Sequence, residues 1–370
     1  MRPSLHVKLD AIRHNVRTWR AFLGDRPVWA VVKCDAYRMG MVQVARAALE
    51  AGAQQLCVVE IFEASELRAA GVDAPIVHVA ATPSDDFETA LKDGVAVSVG
   101  DSKRAGELSK LAKKLGVRAC VHVAIETGTG WWGIPSADAA AFAQAVVGLE
   151  NIEWEGVWTH IAGPDSMATQ MERFRTAIAA LRASGLAVPE VHAASTGPSL
   201  WDCNEGAVRV GVGLYGSCLG SDRAPEGLQT ACEVRAPVYA VRTFTEPTPL
   251  GYGGTYVAMS GQTIATLRIG YGEGLPKTLA GRGVAILAGA RCPIVGAIGM
   301  NFTMVAVPPN ADVDWRQEAL LVGDIPGVRL DEVAAAAQSI PHNVLTMIGS
   351  GMPRVYDDVR TASTASSSGE

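Results

Sequence analysis

Short apolar runs alternate with amphipathic stretches over the first two thirds of the chain. Runs of Val, Ile, Leu and Ala predict strands that are buried on both faces, and apolar residues at helical spacing between them predict helices. The predicted strands are 28–32, 56–59, 76–79, 95–99, 117–125, 154–160, 190–194 and 207–212. The predicted helices are 12–23, 42–51, 62–70, 84–92, 102–115, 136–148 and 166–184. Strands that alternate with helices predict an α/β fold, a (β/α)8 TIM-like barrel over residues 8–233.

The pattern changes near Arg235, where short runs rich in Val, Ile and Thr are separated by glycine turns. Such runs favour a mainly antiparallel β domain, which we place at residues 234–360 with one helix at 330–338. The N-terminal strand, residues 1–7, is expected to join this domain. Residues 361–370 are small and polar, so we expect a disordered tail.

Charge and cysteine usage narrow the function class. The 370 residues carry a net charge of -6, so a basic surface for nucleic acid is not expected. The seven cysteines are scattered without Cys-x-x-Cys spacing, which argues against a disulfide framework and against a metal site. No apolar signal core follows Met1, and no run of about 18 apolar residues predicts a membrane span. We therefore expect a cytoplasmic enzyme that acts on a small molecule.

Lys33 follows the buried strand 28–32, at the end where a parallel barrel places its chemistry. A lysine at a strand end is more often salt-bridged or solvated than reactive. The surrounding sequence favours a reactive amine. The segment Val31-Val32-Lys33-Cys34-Asp35-Ala36-Tyr37 resembles the cofactor-lysine motif of the alanine racemase family. The resemblance implies that Lys33 binds pyridoxal 5'-phosphate covalently and that Tyr37 binds its phosphate.

Three later segments resemble the same family in the same order. Gly156-Val157-Trp158-Thr159-His160 is similar to the strand whose histidine lies beside the cofactor, and the segment 191–197 is similar to a phosphate-binding loop in which Thr196 replaces a serine. The segment 208–216 matches more closely. There the resemblance implies that Arg209 faces the pyridine nitrogen and that the backbone N–H groups of Gly211 and Val212 bind the phosphate.

Two segments of the predicted β domain complete the resemblance. Ile269-Gly270-Tyr271-Gly272-Glu273-Gly274 is similar to the motif of the second catalytic base, and Gly299-Met300-Asn301 is similar to a substrate-facing segment. The family places the tyrosine in the active site of the other subunit, so a homodimer with shared active sites is implied. Near the closing motif that ends at Tyr356, His342 stands where a second phosphate-binding tyrosine is expected.

The implied residues form a coherent two-base site. Lys33 can remove or return the α proton on one face of the substrate, and Tyr271 can do so on the other. Tyr271 needs a cationic neighbour to ionise, and His160 hydrogen-bonded to Arg209 is expected to provide one. Arginine only donates hydrogen bonds, so the pyridine nitrogen stays unprotonated, which suits simple removal and return of an α proton.

Several substrate-side positions depart from the family. Trp131 stands where the family has an arginine that contacts the substrate carboxylate, and Ala124 stands where many members have the lysine that positions this arginine. Asn301 replaces an aspartate, and Arg38-Met39 replaces a Gly-His pair. The sequence therefore predicts a pyridoxal-phosphate-dependent amino-acid racemase, with Trp131, Met300 and Asn301 at the substrate and with alanine not assured. A retro-aldol or coupling reaction on the same scaffold, or a cofactor-binding protein with little turnover, remains as an alternative.

Overall fold

The computed structural model describes residues 2–358, so the predicted disordered tail at 361–370 lies outside the described residues. The strands are β1 Ser4–Lys8, β2 Val28–Val31, β3 Gln55–Val58, β4 Ile76–His78, β5 Val95–Val99, β6 Ala119–Glu126, β7 Ile134–Pro135, β8 Ile152–Trp158, β9 Glu190–His192, β10 Ala194–Ser195, β11 Val208–Val210, β12 Cys232–Thr243, β13 Thr248–Leu250, β14 Tyr256–Ala258, β15 Thr263–Leu267, β16 Val284–Leu287, β17 Ala290–Val295, β18 Thr303–Val307, β19 Glu318–Val322 and β20 Arg354–Asp357. The helices are α1 Leu9–Leu23, α2 Lys33–Arg38, α3 Met41–Glu50, α4 Ile61–Ala69, α5 Phe87–Lys92, α6 Ser102–Leu115, α7 Ala139–Val147, α8 Pro164–Ala183, α9 Thr196–Leu200, α10 Leu330–Ala336 and α11 Pro341–Ile348.

The strands between residues 28 and 210 form a nearly closed parallel barrel, which confirms the predicted fold class. Its strands pair in the order β10-β11-β2-β3-β4-β5-β6-β8-β9, with the short β7 added beside β6. The predicted strand 190–194 is interrupted at Ala193 and gives both β9 and β10, so nine strands form the ring where eight were expected. Every residue of β2, β3 and β5 is buried, as expected for strands covered on both faces.

Helices cover the outside of this barrel, and α1 shows how one of them is fixed. Its buried Trp19 donates from Nε1 to the carbonyl of Gly213 at 3.1 Å, and Asn15 donates from Nδ2 to the carbonyl of Leu214 at 2.9 Å. Both acceptors lie in the turn directly after β11. Buried polar groups require such partners, so α1 packs in one position and fixes the turn that follows β11.

The strand β1 and residues 232–357 form a mainly antiparallel β domain that includes the helices α10 and α11. Its strands pair in the order β15-β18-β17-β16-β19-β12-β1-β20, and β12 also pairs with β15. The N-terminal β1 lies inside this sheet, antiparallel to β12 and parallel to β20. The sequence did not predict α11, which begins at Pro341 and packs against α2 in the barrel.

A buried residue of β1 tests whether the N-terminal strand belongs to the core. Leu5 is 0% exposed, so we expect Leu5→Ala to lower the free energy of unfolding by about 2–5 kcal/mol, measured by urea denaturation. Ser4→Ala is the matched control on the less buried face and should change it by less than about 0.5 kcal/mol. A Leu5→Ala effect as small as that of the control would contradict this packing.

Candidate active site

A cavity of about 530 Å³ opens at the carboxyl ends of the barrel strands. The residues that follow β2, β6, β8, β10 and β11 converge there because parallel strands present the same ends to one face of a barrel. The predicted site residues that line it are Lys33, Tyr37, Trp131, His160, Thr196, Arg209, Gly211, Val212 and His342. His342 reaches the cavity from α11 of the β domain, so both domains form its wall.

The segment that carries Lys33 has an unusual backbone. From Cys34 to Arg38 every φ angle is positive, between 51° and 68°, and none of these residues is glycine. The left-handed conformation costs an L-amino acid roughly 1–2 kcal/mol per residue, so the surrounding structure must maintain it. The sequence predicted an ordinary loop here, and local propensity contains no signal for this turn.

Arg209 lies inside the barrel and is 3% exposed. Nη1 donates to the Nδ1 atom and to the carbonyl of His192, both at 2.7 Å. Nη2 donates to the carbonyls of Thr159 at 2.9 Å and Ala193 at 3.2 Å. A guanidinium has five N–H groups, so these four contacts leave Nε–H for another partner. Burial lowers the pKa of Arg209 to about 10, which leaves it charged near neutral pH.

The predicted hydrogen bond between His160 and Arg209 is wrong. Arg209 bonds to His192 instead, and the imidazole of His160 stacks on the indole of Trp131, with ring centroids 5.4 Å apart and planes at 20°. Burial, together with the charges of Arg209 and Lys33, lowers the pKa of His160 to about 4. His160 is therefore neutral near pH 7, so the expected cationic relay to the second base does not form.

A chain of two buried histidines backs Arg209. Because arginine can only donate, the Nδ1 atom of His192 must accept, and its Nε2 therefore carries the proton. That Nε2 atom lies 2.9 Å from Nδ1 of His122, which must accept in turn. The sequence analysis missed both residues. The signal was present at His192, which belongs to the segment matched to the phosphate-binding loop.

The other end of the cavity carries hydroxyl, imidazole and backbone N–H groups. The hydroxyl of Thr196 accepts from the backbone N–H of Gly211 at 3.1 Å and of Gly213 at 3.4 Å. Gly211 approaches Tyr37 so closely that a Cβ there would lie 2.2 Å from Oη of Tyr37. The Nδ1 atom of His342 is buried and has no hydrogen-bond partner among residues 2–358. Phenol, hydroxyl, imidazole and backbone N–H groups are suitable donors for a phosphate, so these residues fit that end of pyridoxal phosphate.

Trp131 lies at the rim of the cavity, on a loop organised by Glu126. The carboxylate of Glu126 accepts from the backbone N–H of Thr129 at 2.7 Å and of Gly130 at 3.0 Å, and from the Thr129 hydroxyl at 2.7 Å. Burial opposes ionisation of Glu126, but these bonds outweigh it and lower its pKa. Trp131 is 73% exposed in the single chain, so one face of the indole covers His160 and the other is open.

Tyr271, Met300 and Asn301 lie together on the surface of the β domain and do not line the cavity. The backbone N–H of Gly272 donates to the carbonyl of Met300 at 2.8 Å, and Asn301 donates to Glu273 at 2.8 Å. Tyr271 is 40% exposed and Met300 is 56% exposed. In the single chain, the residues that line the cavity around Lys33 are therefore separate from Tyr271, Met300 and Asn301.

Comparison with protein families decides the assignment. The family model of the alanine racemase N-terminal domain matches residues 7–218, and that of the alanine racemase C-terminal domain matches residues 231–356. The chain belongs to the alanine racemase family. It is therefore a pyridoxal-phosphate-dependent racemase, an isomerase, which confirms the prediction from the sequence.

Individual members of the alanine racemase family match along nearly their whole length. The alanine racemase of Desulfovibrio desulfuricans is 34% identical over 95% of this chain and 96% of its own. The structure of alanine racemase from D-cycloserine-producing Streptomyces lavendulae has a TM-score of 0.90 and 32% identity over 97% of both chains. A fold neighbour at 24% identity and TM-score 0.85, covering 96% of this chain and 100% of its own, is the Bartonella henselae alanine racemase with covalently bound pyridoxal phosphate.

No helix within residues 2–358 has the length and apolar character to cross a membrane.

The buried histidines should make the free energy of unfolding decrease in mild acid. Burial is the largest cause of a lowered pKa at His78, His122, His160, His192 and His342. The unfolded chain therefore binds more protons than the folded chain below about pH 6.5, so the free energy of unfolding must fall as the pH falls. His122, whose pKa drops from 6.5 to about 4, should alone account for about 2 kcal/mol at pH 5.

Urea denaturation between about pH 7 and pH 5 measures this effect. We expect His122→Asn to make the pH dependence shallower, because asparagine does not titrate in this range. A free energy of unfolding that stays constant over the interval would contradict the assignment of neutral buried histidines.

Proposed function

We propose that this enzyme racemises a free amino acid with two bases, Lys33 of one subunit and Tyr271 of the partner subunit. The observation that carries the proposal is the cavity at the carboxyl ends of the barrel strands. Its lining includes Lys33, the guanidinium of Arg209 and a third group formed by Tyr37, Thr196 and Gly211. Each matches one part of pyridoxal phosphate: the aldehyde, the ring nitrogen and the phosphate.

The residues have distinct roles in this proposal. Lys33 holds the cofactor and then takes or gives the α proton on its own face of the substrate. The cofactor, when bound, withdraws electrons from Cα and so acidifies that proton. Arg209 would donate a hydrogen bond to the ring nitrogen without transferring a proton, since the guanidinium stays charged. His160, which is neutral, would lie beside the cofactor, and its phosphate would be held by Gly211, Val212, Thr196, Tyr37 and His342.

The second base must come from another subunit, since Tyr271 lies outside the cavity of its own chain. Exposed apolar side chains lie near it on the β domain: Met300 against Gly272, Tyr252 against Gly299, and Phe302 against Tyr239. Large exposed apolar surfaces mark protein interfaces. A homodimer that covers this surface brings Tyr271, Met300 and Asn301 of the partner subunit to the cavity of the first.

The substrate we propose is a neutral amino acid whose side chain is larger than a methyl group. Four tryptophans line the cavity: Trp131, Trp132, Trp158 and Trp201. Trp131 offers one N–H donor and no charge where the family has a guanidinium, so the substrate carboxylate is bound with less charge and beside more apolar surface.

A cytoplasmic location stays a prediction from the sequence.

Subunit mixing tests the shared site. We expect Lys33→Ala and Tyr271→Phe enzymes to be inactive separately, and a randomly exchanged mixture to recover roughly a quarter of the wild-type activity. Half of the dimers are then mixed, and one of their two sites has both bases. Mixing Lys33→Ala with the Lys33→Ala/Tyr271→Phe double variant is the matched control and should recover nothing. Verified mixed dimers without activity would place both bases on one chain.

Substitution of Trp131 tests the substrate. A charge-assisted hydrogen bond to the substrate carboxylate contributes about 1.5–3 kcal/mol, so Trp131→Arg should strengthen alanine binding roughly ten- to a hundredfold. The same change should lower activity on the larger substrate. Kinetics over a panel of D- and L-amino acids measures both effects, with Trp315→Arg, at an exposed tryptophan of the β domain, as the control. A wild-type enzyme that has a high kcat/KM for alanine alone would contradict the proposal of a larger substrate.

A further inference from the structure

We propose that Asp35, Tyr215 and Arg354 form a clamp that holds the left-handed turn 33–38 in place and so directs Lys33 and Tyr37 into the cavity. The inference rests on the proposed roles of Lys33 and Tyr37 toward the cofactor. It assigns the clamp residues a positioning role, since none of them is required to contact the cofactor or the substrate.

The turn needs external support because its own residues disfavour it. Cys34, Asp35, Ala36, Tyr37 and Arg38 all have positive φ. Only glycine adopts this region without steric cost, and consecutive non-glycine residues adopt it rarely. Backbone of this kind persists where surrounding contacts over-determine it, and it concentrates at functional sites. Lys33 begins the turn and Tyr37 lies within it, so relaxation of the turn would move both side chains.

The first support comes from the barrel. Tyr215, which is 0% exposed, donates from its hydroxyl to the carbonyl of Ala36 at 2.6 Å. That carbonyl belongs to the middle of the turn. Tyr215 lies in the same loop as Gly211 and Gly213, whose N–H groups bond to Thr196. The phosphate-binding loop therefore also fixes the position of the Lys33 turn.

The second support comes from the β domain. Arg354 in β20 donates from Nη1 to Asp35 Oδ2, while Asp35 Oδ1 accepts from the backbone N–H of Met41 at 2.7 Å. Tyr356, two residues further along β20, packs against the end of the turn, where a Cβ on Gly40 would lie 1.8 Å from its hydroxyl. One strand of the β domain thus contacts the turn at two points, and only glycine fits at position 40.

These contacts could either stabilise the whole fold or hold a strained turn, and the two roles predict different local conformations of the turn when a contact is removed. If they only stabilise the fold, removing one should weaken the whole protein and leave the local conformation of the turn unchanged. If they hold a strained turn, removing one should let the turn relax, and a glycine within the turn should reverse the effect. Cys34 is suited to that substitution because it is exposed and has φ 55°.

The first experiment removes a clamp contact. In Arg354→Met we expect the dissociation constant for pyridoxal phosphate to rise about tenfold or more and the amides of residues 33–41 to exchange hydrogen faster, with Arg354→Lys close to wild type. Arg235→Met, which breaks the ion pair with Glu233 in the same sheet, is the matched control and should change neither. Tyr215→Phe removes the other contact, to the carbonyl of Ala36, and should also weaken cofactor binding and speed exchange at residues 33–41. This variant serves as the test if Arg354→Met folds poorly.

The second experiment tests for strain. Adding Cys34→Gly to Arg354→Met should restore most of the cofactor affinity, because glycine adopts positive φ readily, whereas Cys34→Ser should restore none. Unchanged exchange at residues 33–41 in both clamp variants, or equal rescue by serine, would overturn the proposal. Failure of the proposed function has a different signature: Lys33→Ala would keep a covalently bound cofactor, while exchange at residues 33–41 would still respond to the clamp.

Discussion

The structure depends on one buried cation that can only donate hydrogen bonds. Arg209 is enclosed by the barrel, and its hydrogen-bond partners among residues 2–358 are three carbonyls and one imidazole nitrogen. Its guanidinium carbon also lies 5.2 Å from the ring centroid of Trp158. The charge is therefore stabilised by dipoles and by an aromatic face, without a carboxylate partner among the described residues. This fixes the tautomer of His192 and then that of His122, and it leaves Nε–H without a hydrogen-bond partner among residues 2–358. The same charge, added to burial, keeps His160 neutral.

The two domains divide the chemistry. The barrel holds Lys33, Arg209 and the loop with Gly211 and Val212, while the β domain contributes His342 to the same cavity and carries Tyr271 on its surface. The β domain also contacts the Lys33 turn through Arg354. In the proposed dimer each β domain therefore has two roles. It positions the Lys33 turn of its own barrel, and it supplies Tyr271 as a base to the cavity of the partner subunit.

Much of this arrangement could be predicted from the sequence. Lys33, His160 and Arg209 follow or belong to apolar strands in a βα pattern, and parallel strands bring such residues to one face. The His160–Arg209 bond could not be predicted, because the partner of a buried guanidinium depends on which side chain lies within reach across the barrel, and that was His192. The left-handed turn at 34–38 could not be predicted because tertiary contacts, rather than local propensity, maintain it. Helix α11 was missed although its signals were present: Pro341 at its start, and Val344, Leu345 and Ile348 at helical spacing.

In the proposed mechanism, Lys33 is the residue that binds the cofactor in this cavity. Reduction of the purified enzyme with borohydride makes the cofactor's bond to a lysine permanent, and peptide mapping then identifies the modified residue. We expect one modified lysine per chain, Lys33, in the peptide that also contains Tyr37. Modification of a different lysine, or no modified lysine in an active enzyme, would contradict it.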